Sequence, residues 1–348
     1  MSTKSEKRFL LSVDPGLEDV VVSELHEQSR SSRATENPFG LPGQVLVETD
    51  EPAPLLQLTT IHHVLEVLAE EPVEGLADIQ SVLDKTAFDL LGDAGSFRVT
   101  SNILGDIGLE KFELQRAAGA ALVRRFATPV SLEEFDVEIR VDLYDHRLVV
   151  GVSRTRPSLG NRVRRGRSLR SSMKPTIAAA MLRLAGAHSG AGRLIDPLCG
   201  AGVIPVEAAT TNPSLEIVAS DWDTDTVETA RGTLANHGIP LEVTTADARE
   251  LDPESDGRFD YIVTDPPHGL RQARRARLDV LYAELLAAFE RVLAPDGRIA
   301  IIVVKYRLFT AAVQSTGLRI VEHRAVTTGN VQQRIFVLAH GDYQSTTL

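Results

Sequence analysis

The chain is expected to be α/β, with a largely parallel, doubly wound sheet in its C-terminal half and an α+β N-terminal half. Three observations predict this. Beyond residue 173, short apolar runs alternate with stretches of helical length, the pattern of strand–helix repeats on a parallel sheet. Four of those runs end in an acid, at Asp196, Asp221, Asp247 and Asp265. In an open α/β sheet, strand C-terminal ends at the point where strand order reverses are where ligands bind. In the front half, DVEIRVDLYD (136–145) alternates strictly, as an antiparallel strand with one wet face does.

The elements follow in order. FLLSV (9–13) reads as a strand, and GLEDVVVSELHEQ (16–28) as a helix with Leu17, Val20, Val21 and Leu25 on one face. QVLVET (44–49) alternates as a half-buried strand. LLQLTTIHHVLEVLAE (55–70) is expected to begin as a helix and end as a strand. A helix near 76–90, a strand SFRVTSN (96–102), a helix over 110–126 and the strands 136–145 and RLVVGVSR (147–154) complete this half. It holds no catalytic constellation. His62 and His63 have no partner at ligand spacing and read as helix-surface or satisfied histidines.

Residues 155–172 are polar and arginine-rich, with Pro157, Gly160 and Gly166, and read as a linker into a helix at 174–187. The strands RLIDP (193–197), LEIVASD (215–221), LEVTTAD (241–247), FDYIVTD (259–265) and RIAIIVVK (298–305) follow. Helices are expected from about 203, at 224–237 and at 279–293. LRIVEHRAV (318–326) and RIFVLAH (334–340) read as a closing antiparallel pair.

Composition narrows the function classes. A chain of 348 residues with 43% apolar content is long enough for two or three domains with real cores. No apolar run reaches membrane-spanning length, and no signal-peptide core precedes the first acid and proline. One cysteine, Cys199, excludes an intrachain disulfide and fits a reducing cytoplasm. No Cys/His cluster suggests a structural zinc. The net charge of −11 argues weakly against nucleic acid, but its distribution matters more. Arg154, Arg156, Arg162, Arg164, Arg165, Arg167 and Arg170 form a run free of acids. Arg271, Arg274, Arg275 and Arg277 form a second cluster. The bland reading of either is a solvated face; two clusters, one beside a candidate site, favour phosphate contacts.

The strand ends carry the chemistry. DPLCGAG (196–202) places Gly200 and Gly202 in a tight turn ahead of a helix, where a ligand can approach the backbone. A dinucleotide fingerprint would need a third glycine where Pro205 stands. Asp196 there would repel a pyrophosphate and attract an ammonium or sulfonium. Asp221 stands where an acid grips a ribose diol, with Trp222 beside it as an adenine shield or a residue packed under a helix. Asp247, followed by Ala248, suits an adenine amino group. TDPPH (264–268) ends its strand with two prolines that donate nothing to a sheet ladder. The turn offers carbonyl oxygens, a carboxylate and a flat ring, the inventory for gripping a flat ligand with an amino group. Each acid alone is more often a helix cap or turn residue; four in succession are not so easily dismissed.

Over about residues 170–345, DPLCGAG, SDWD, TAD and TDPPH resemble the motifs of class I S-adenosylmethionine (SAM) methyltransferases. DPPH is similar to the turn of enzymes that methylate exocyclic amines in nucleic acids. VDPGLEDVVVSEL, GSFRV and VSLEEFDVEIRV with VGVSRTRPSLGNR resemble the N-terminal ferredoxin-like plus THUMP arrangement of tRNA guanine-N2 methyltransferases. The likeness extends to the bacterial and archaeal enzymes that act at position 6 of the acceptor stem, whose bacterial turn reads NPPHGLR where this chain has Asp265. The resemblance implies a ferredoxin-like domain at 1–70, a THUMP domain at 71–155, a linker at 156–172 and a Rossmann-like methyltransferase domain at 173–348.

It also implies roles. Asp265 and the Pro266 carbonyl would accept from a guanine N2 amine, localising its nitrogen lone pair. Pro267 stiffens the turn and His268 stacks on the base. SAM would be held by Asp196, Pro197, Cys199, Gly200, Gly202, Asp221, Trp222, Asp247, Ala248 and Asp265, with Lys174 and Thr176 added by resemblance only. Cys199 by itself reads as a small residue filling a tight turn. A flipped base and a tRNA backbone gripped by Arg156, Arg162, Arg164, Arg165, Arg167, Arg170, Arg271, Arg274 and Arg275 complete the expectation. No metal is needed. A cytoplasmic enzyme without an obligate protein partner, acting as a monomer, is expected. The same chemistry on ribosomal RNA, at another tRNA position or on adenine N6 remains open. So do a nicotinamide-dependent oxidoreductase and a non-catalytic RNA-binding module.

Overall fold

The computed structural model describes residues 6–105, 108–164, 173–268 and 277–341. The chain divides into two units, one of residues up to Val13 with Val21–Leu159, the other of Asp14–Val20 with Gly160 onward.

The first unit is built on one sheet. Its elements are β1 (Lys7–Val13), α1 (Glu18–Gln28, whose first turn falls in the second unit), β2 (Arg33–Glu36), β3 (Gln44–Thr49), β4 (Ile61–Pro72), α2 (Leu76–Lys85), α3 (Asp89–Gly92), β5 (Phe97–Thr100), β6 (Ile103–Leu104), α4 (Lys111–Phe126), β7 (Val137–Tyr144) and β8 (Arg147–Ser153). The strand order is β2-β3-β1-β4-β8-β7-β5, with β6 beside β7. Neighbours are antiparallel except β5 and β6, which run parallel to β7. Ile79 and Leu83 of α2, Leu114 and Ala118 of α4, Phe97 and Val99 of β5 and the inward residues of β7 and β8 form its core.

Residues 55–70 begin in a short 3-10 turn, Ala53–Gln57, and end in β4 from Ile61, the helix-then-strand course expected of them. β4 pairs with β1 on one side and with β8 on the other. His62 and His63 therefore lie on a strand. His63 Nδ1 is 3.2 Å from Thr155 Oγ1, and His62 Nδ1 is 3.3 Å from Ser158 Oγ. They are satisfied, but not on a helix surface. The expected helix at 76–90 is interrupted after Lys85, giving α2 and α3. The division expected at residue 70 falls within β4.

The second unit alternates strand and helix. It comprises α5 (Pro175–Ala185), β9 (Gly192–Asp196), α6 (Val203–Thr211), β10 (Leu215–Asp221), α7 (Thr224–Asn236), β11 (Val243–Thr245), β12 (Phe259–Thr264), α8 (Leu278–Val292), β13 (Leu293–Val303), α9 (Tyr306–Val313), β14 (Leu318–Thr328) and β15 (Val331–His340). The order is β11-β10-β9-β12-β13-β15-β14. The first five run parallel; β15 is antiparallel to β13, and β14 to β15. The closing antiparallel pair is as expected. The run 241–247 pairs only over Val243–Thr245, as an edge strand with one neighbour. Tyr282, Leu285, Leu286 and Phe289 of α8, Phe309 of α9 and Phe336 of β15 pack with β12 and β13 into one cluster. Each such side chain contributes about 1.5–3 kcal/mol of apolar burial.

Strand order steps outward from β9 through β10 to β11 and returns at β12. The reversal point thus lies between β9 and β12, whose ends carry DPLCG and TDPPH. The loop Asp14–Val20 belongs to this unit. Pro15 O accepts from Thr327 N at 3.0 Å, and Gly16 has φ +97°. A Cβ at Gly16 would stand 2.0 Å from Ala325 O. Gly16→Ala should therefore destabilise the second unit by roughly 2 kcal/mol or more, from backbone strain and this clash together. Thermal denaturation would read this as a lowered Tm.

Candidate active site

The sheet order lines the four carboxylates along one edge in the sequence Asp247, Asp221, Asp196, Asp265. β9 delivers Asp196, which is 1% exposed. Its Oδ1 accepts from Thr264 Oγ1 at 2.8 Å and from Leu198 N at 3.3 Å. Its Oδ2 is buried without a hydrogen-bond partner among the described residues. Burial pushes this carboxyl up to about 8; the two hydrogen bonds oppose the rise, and the charges of Asp221 and Asp265 add to it.

The turn after β9 is closed by backbone bonds: Cys199 N donates to Ser220 O at 2.9 Å, and Gly202 N to Cys199 O at 2.8 Å. Cys199 is buried, and burial holds its thiol well above the ordinary range. This is the small, inert filler of a tight turn. Gly200 has φ +54° and open space where a Cβ would stand. Its N–H donates to Asp221 Oδ2 at 3.0 Å, while Asp221 Oδ1 accepts from Asp223 N at 3.2 Å. Burial raises the Asp221 carboxyl against these two donors. Trp222 is 69% exposed, so it is not packed under a helix.

Asp247 caps the short 3-10 turn Ala248–Glu250 and is gripped by Arg249, whose Nε lies 2.9 Å from Oδ1. The guanidinium holds this carboxyl below its usual range. Ala248 is buried beside it.

β12 delivers the DPPH turn. Asp265 Oδ1 lies 3.0 Å from His268 Nε2, an ion-pair distance. The approach lacks hydrogen-bond geometry, and Asp265 Oδ1 and His268 Nδ1 are buried atoms without a hydrogen bond among the described residues. Two neighbours escaped sequence reasoning. Tyr282 of α8 is fully buried and directs its hydroxyl to Pro267 O at 3.4 Å, with its ring edge-on to Phe309. Burial, with the charge of Asp265, pushes this phenol up to about 12. Gln333 of β15 brings Nε2 to 3.3 Å from His268 Nε2. Tyr282 was findable as a polar tip on the apolar face of a helix. Gln333 carries no local signal.

Other expected site residues are engaged elsewhere. Lys174 Nζ lies 2.6 Å from Asp14 Oδ1, and Thr176 Oγ1 donates to Asp14 Oδ2 at 2.6 Å. Arg156 donates to Asp136 O and lies over the Phe135 ring. Arg162 Nη2 lies 2.6 Å from the buried carboxylate of Glu207 and donates to Pro175 O at 3.3 Å. Arg164 is exposed, its backbone N donating to His237 Nε2 at 2.8 Å. Arg165, Arg167, Arg170, Arg271, Arg274 and Arg275 lie outside the described residues.

These features fit a cationic, adenosine-bearing group. An orphaned buried carboxylate oxygen, a glycine turn with open space at Gly200, an acid on backbone donors and an exposed indole stand along adjacent strand ends.

The family model for the RMKL-like methyltransferase domain matches residues 162–334. The chain is 33% identical to the tRNA (guanine(6)-N2)-methyltransferase of Thermus thermophilus, over 93% of this chain and 97% of that protein. It is 29% identical to the enzyme of the same name from Archaeoglobus fulgidus, over 95% and 91%. The crystal structure of TrmN from Thermus thermophilus superposes with a TM-score of 0.82 at 30% identity, covering 96% of this chain and 99% of that one. SMU.472, solved in complex with SAH, shares the fold at a TM-score of 0.78 and 18% identity, over 99% and 100%.

Two outcomes are expected. The folded chain binds the Asp196 proton more tightly than the unfolded chain. Ionising it thus costs stability as pH rises from its ordinary value near about 4 towards about 8. Asp196→Asn should flatten the fall in Tm of the ligand-free protein between about pH 5 and pH 8; an unchanged slope would assign that fall to other groups. Arg162→Ala should lower stability by roughly 2–3 kcal/mol, less than a fully buried pair because the guanidinium retains some solvent. Urea denaturation would measure this without RNA.

Proposed function

This chain belongs to the tRNA guanine-N2 methyltransferase family, and from that premise we propose that it transfers a methyl group from SAM to the N2 amine of a guanosine in tRNA, at position 6 of the acceptor stem. The names of the Thermus and Archaeoglobus relatives support the position. The observation that carries the site is the turn itself: a buried carboxylate oxygen of Asp265 without a hydrogen bond, beside a proline carbonyl and a flat ring.

The guanine amine is a weak nucleophile because its lone pair is delocalised into the ring. Accepting its N–H groups at Asp265 Oδ1 and Pro266 O draws the nitrogen towards a tetrahedral shape and localises the pair. Pro266 and Pro267 have no N–H, so the turn presents acceptors and no competing donor. The Tyr282 hydroxyl engages the Pro267 carbonyl and leaves that of Pro266 to the base. His268 stacks on the base. SAM supplies the methyl group from its sulfonium. Asp196, Asp221, Trp222 and Asp247 line the strand ends that would hold it, with Pro197, Cys199, Gly200 and Gly202 forming the turn and Ala248 the floor. Lys174 and Thr176 stand at the start of α5. The product nitrogen sheds a proton, and Asp265 is the acceptor within reach. Most of the acceleration comes from positioning and electrostatics.

A base paired in a stem must flip out to reach this turn, at a cost of a few kcal/mol. Contacts to the RNA backbone offset that cost. Arg164, exposed in the fold, would serve, and the sequence adds Arg165, Arg167, Arg170, Arg271, Arg274 and Arg275. Arg156 and Arg162 already hold internal acceptors. A ferredoxin-like segment at 1–70 and a THUMP segment at 71–155 would engage the tRNA through shape, joined by the linker 156–172 to the methyltransferase domain at 173–348. A monomer acting in the cytoplasm completes the reading.

Incubation of the pure protein with tritiated SAM and unmodified tRNA, followed by digestion to nucleosides, tests it. Wild type should label N2-methylguanosine, and Asp265→Ala should lose about 100-fold or more of that rate. Label in an adenosine or cytidine derivative would overturn the guanine assignment. No label in tRNA or ribosomal RNA would overturn the enzymatic reading.

A further inference from the structure

The sign of the charge reverses along one part of this chain, whose net charge is −11. Residues 297–321 hold Arg298, Lys305, Arg307 and Arg319 and no acid, and residues 323–341 hold Arg324 and Arg334 and no acid. Arg298 and Arg319 stand near the starts of β13 and β14, away from the strand ends that carry the site. Arg324 pairs with Asp19 and Glu322. Lys305, Arg307 and Arg334 remain, and none of them has an ion pair among the described residues. The contrast is with Arg154, Arg162 and Arg249, each of which has found a carboxylate.

The fold brings these three cations to the edge at which the DPPH turn leaves. Thr264 of β12 is paired with Ile301 of β13, and Val303 of β13 with Arg334 of β15. Lys305 and Tyr306 therefore follow β13 on the edge where Asp265 follows β12. The Arg334 guanidinium lies over the Tyr306 ring, 4.3 Å from its centroid, and the Arg307 guanidinium stands 5.9 Å from the same centroid. Tyr306 is half-buried and packs against the cluster that holds Phe309 and Phe336. Phe336 is two residues beyond Arg334 on β15, so both lie on one face of the strand. That face carries Tyr282, whose hydroxyl reaches Pro267 O. Arg334 thus continues outward the packing that supports the turn.

An aromatic ring under a guanidinium fixes its plane and leaves the N–H fork at its rim for another acceptor. A phosphate meets that fork with two oxygens and the opposite charge. A flipped nucleotide brings its own flanking phosphates to the mouth of the pocket that receives its base. We propose that Arg334, stacked on Tyr306, forms with Arg307 and Lys305 a phosphate-binding subsite that holds the RNA backbone beside the flipped nucleotide. This rests on the proposed function, which places the target base at the DPPH turn. The subsite reads backbone and no base, so it adds affinity and position without sequence preference.

The test measures binding of an unmodified tRNA transcript to the full chain across a salt series, for wild type, Arg334→Ala, Arg334→Lys and Arg307→Ala, with Tm recorded for each. Arg334→Ala should weaken binding about tenfold at low salt and make the slope of log K against log salt shallower by about one. Arg334→Lys, a point charge without the fork, should keep the slope and recover only part of the affinity. Arg307→Ala, at an exposed position, should also make the slope shallower by about one, and reads the subsite independently if Arg334→Ala lowers Tm. SAM binding in the absence of RNA should not change. An unchanged slope in both alanine variants, beside a wild type that methylates RNA, would overturn this proposal alone. A loss confined to SAM affinity would overturn it too. If wild type labels no RNA, the proposed function falls first, and the subsite falls with the flipped nucleotide it serves.

Discussion

The hydrogen bond from Thr264 Oγ1 to Asp196 Oδ1, 2.8 Å long and buried, joins the ends of β12 and β9 where strand order reverses. The two turns that carry chemistry start at this bond. DPLCG leaves β9 at Asp196, and DPPH leaves β12 after Thr264. A buried hydroxyl–carboxyl bond is costly to leave unmade, so it sets the spacing between the two halves of the site. It also takes one carboxyl oxygen and leaves the other, Oδ2, buried without a hydrogen-bond partner among the described residues.

Around this bond the edge of the sheet gathers carboxylates with unequal support. Asp221 has backbone donors, Asp247 has a guanidinium, and Asp196 has a hydroxyl, one N–H and deep burial. The environment thus separates three chemically identical groups, raising two and lowering the third. A crowd of acids held in this way costs stability in the free protein and suits a cationic ligand. A similar economy appears at the start of α5, where the buried Asp14 carboxyl receives both Lys174 and Thr176 and ties the segment Asp14–Val20 to that helix.

The arginine-rich segment shows how tertiary structure redistributes charge. In sequence its members are equivalent. In the fold, Arg154 pairs with Glu66, Arg156 with a carbonyl and a ring, and Arg162 with Glu207, whereas Arg164 is exposed. A guanidinium is satisfied by whichever acceptor the fold brings within reach. Counting arginines therefore overstates the positive surface that an RNA would meet.

Much of the molecule was legible in its sequence. Four strand-terminal acids, two glycines after β9 and the Pro-Pro turn announced a parallel sheet with its ligand edge, because such residues act through local backbone geometry. The closing antiparallel pair was legible for the same reason, its apolar runs being long and bounded. In the stretch 55–70 the passage from helical turn to strand was legible, but the point of change was not, because pairing on both sides of β4 fixes it. Nor were the contacts of Gln333, Tyr282, Asp14 and Glu207. Gln333, Asp14 and Glu207 meet partners 65, 160 and 45 residues away, and Tyr282 meets Pro267 only once α8 packs against that turn. The local sequence determined which groups the strand ends offer. Only the tertiary structure decided which of them are already engaged, because burial and hydrogen-bond partners are properties of neighbours in space.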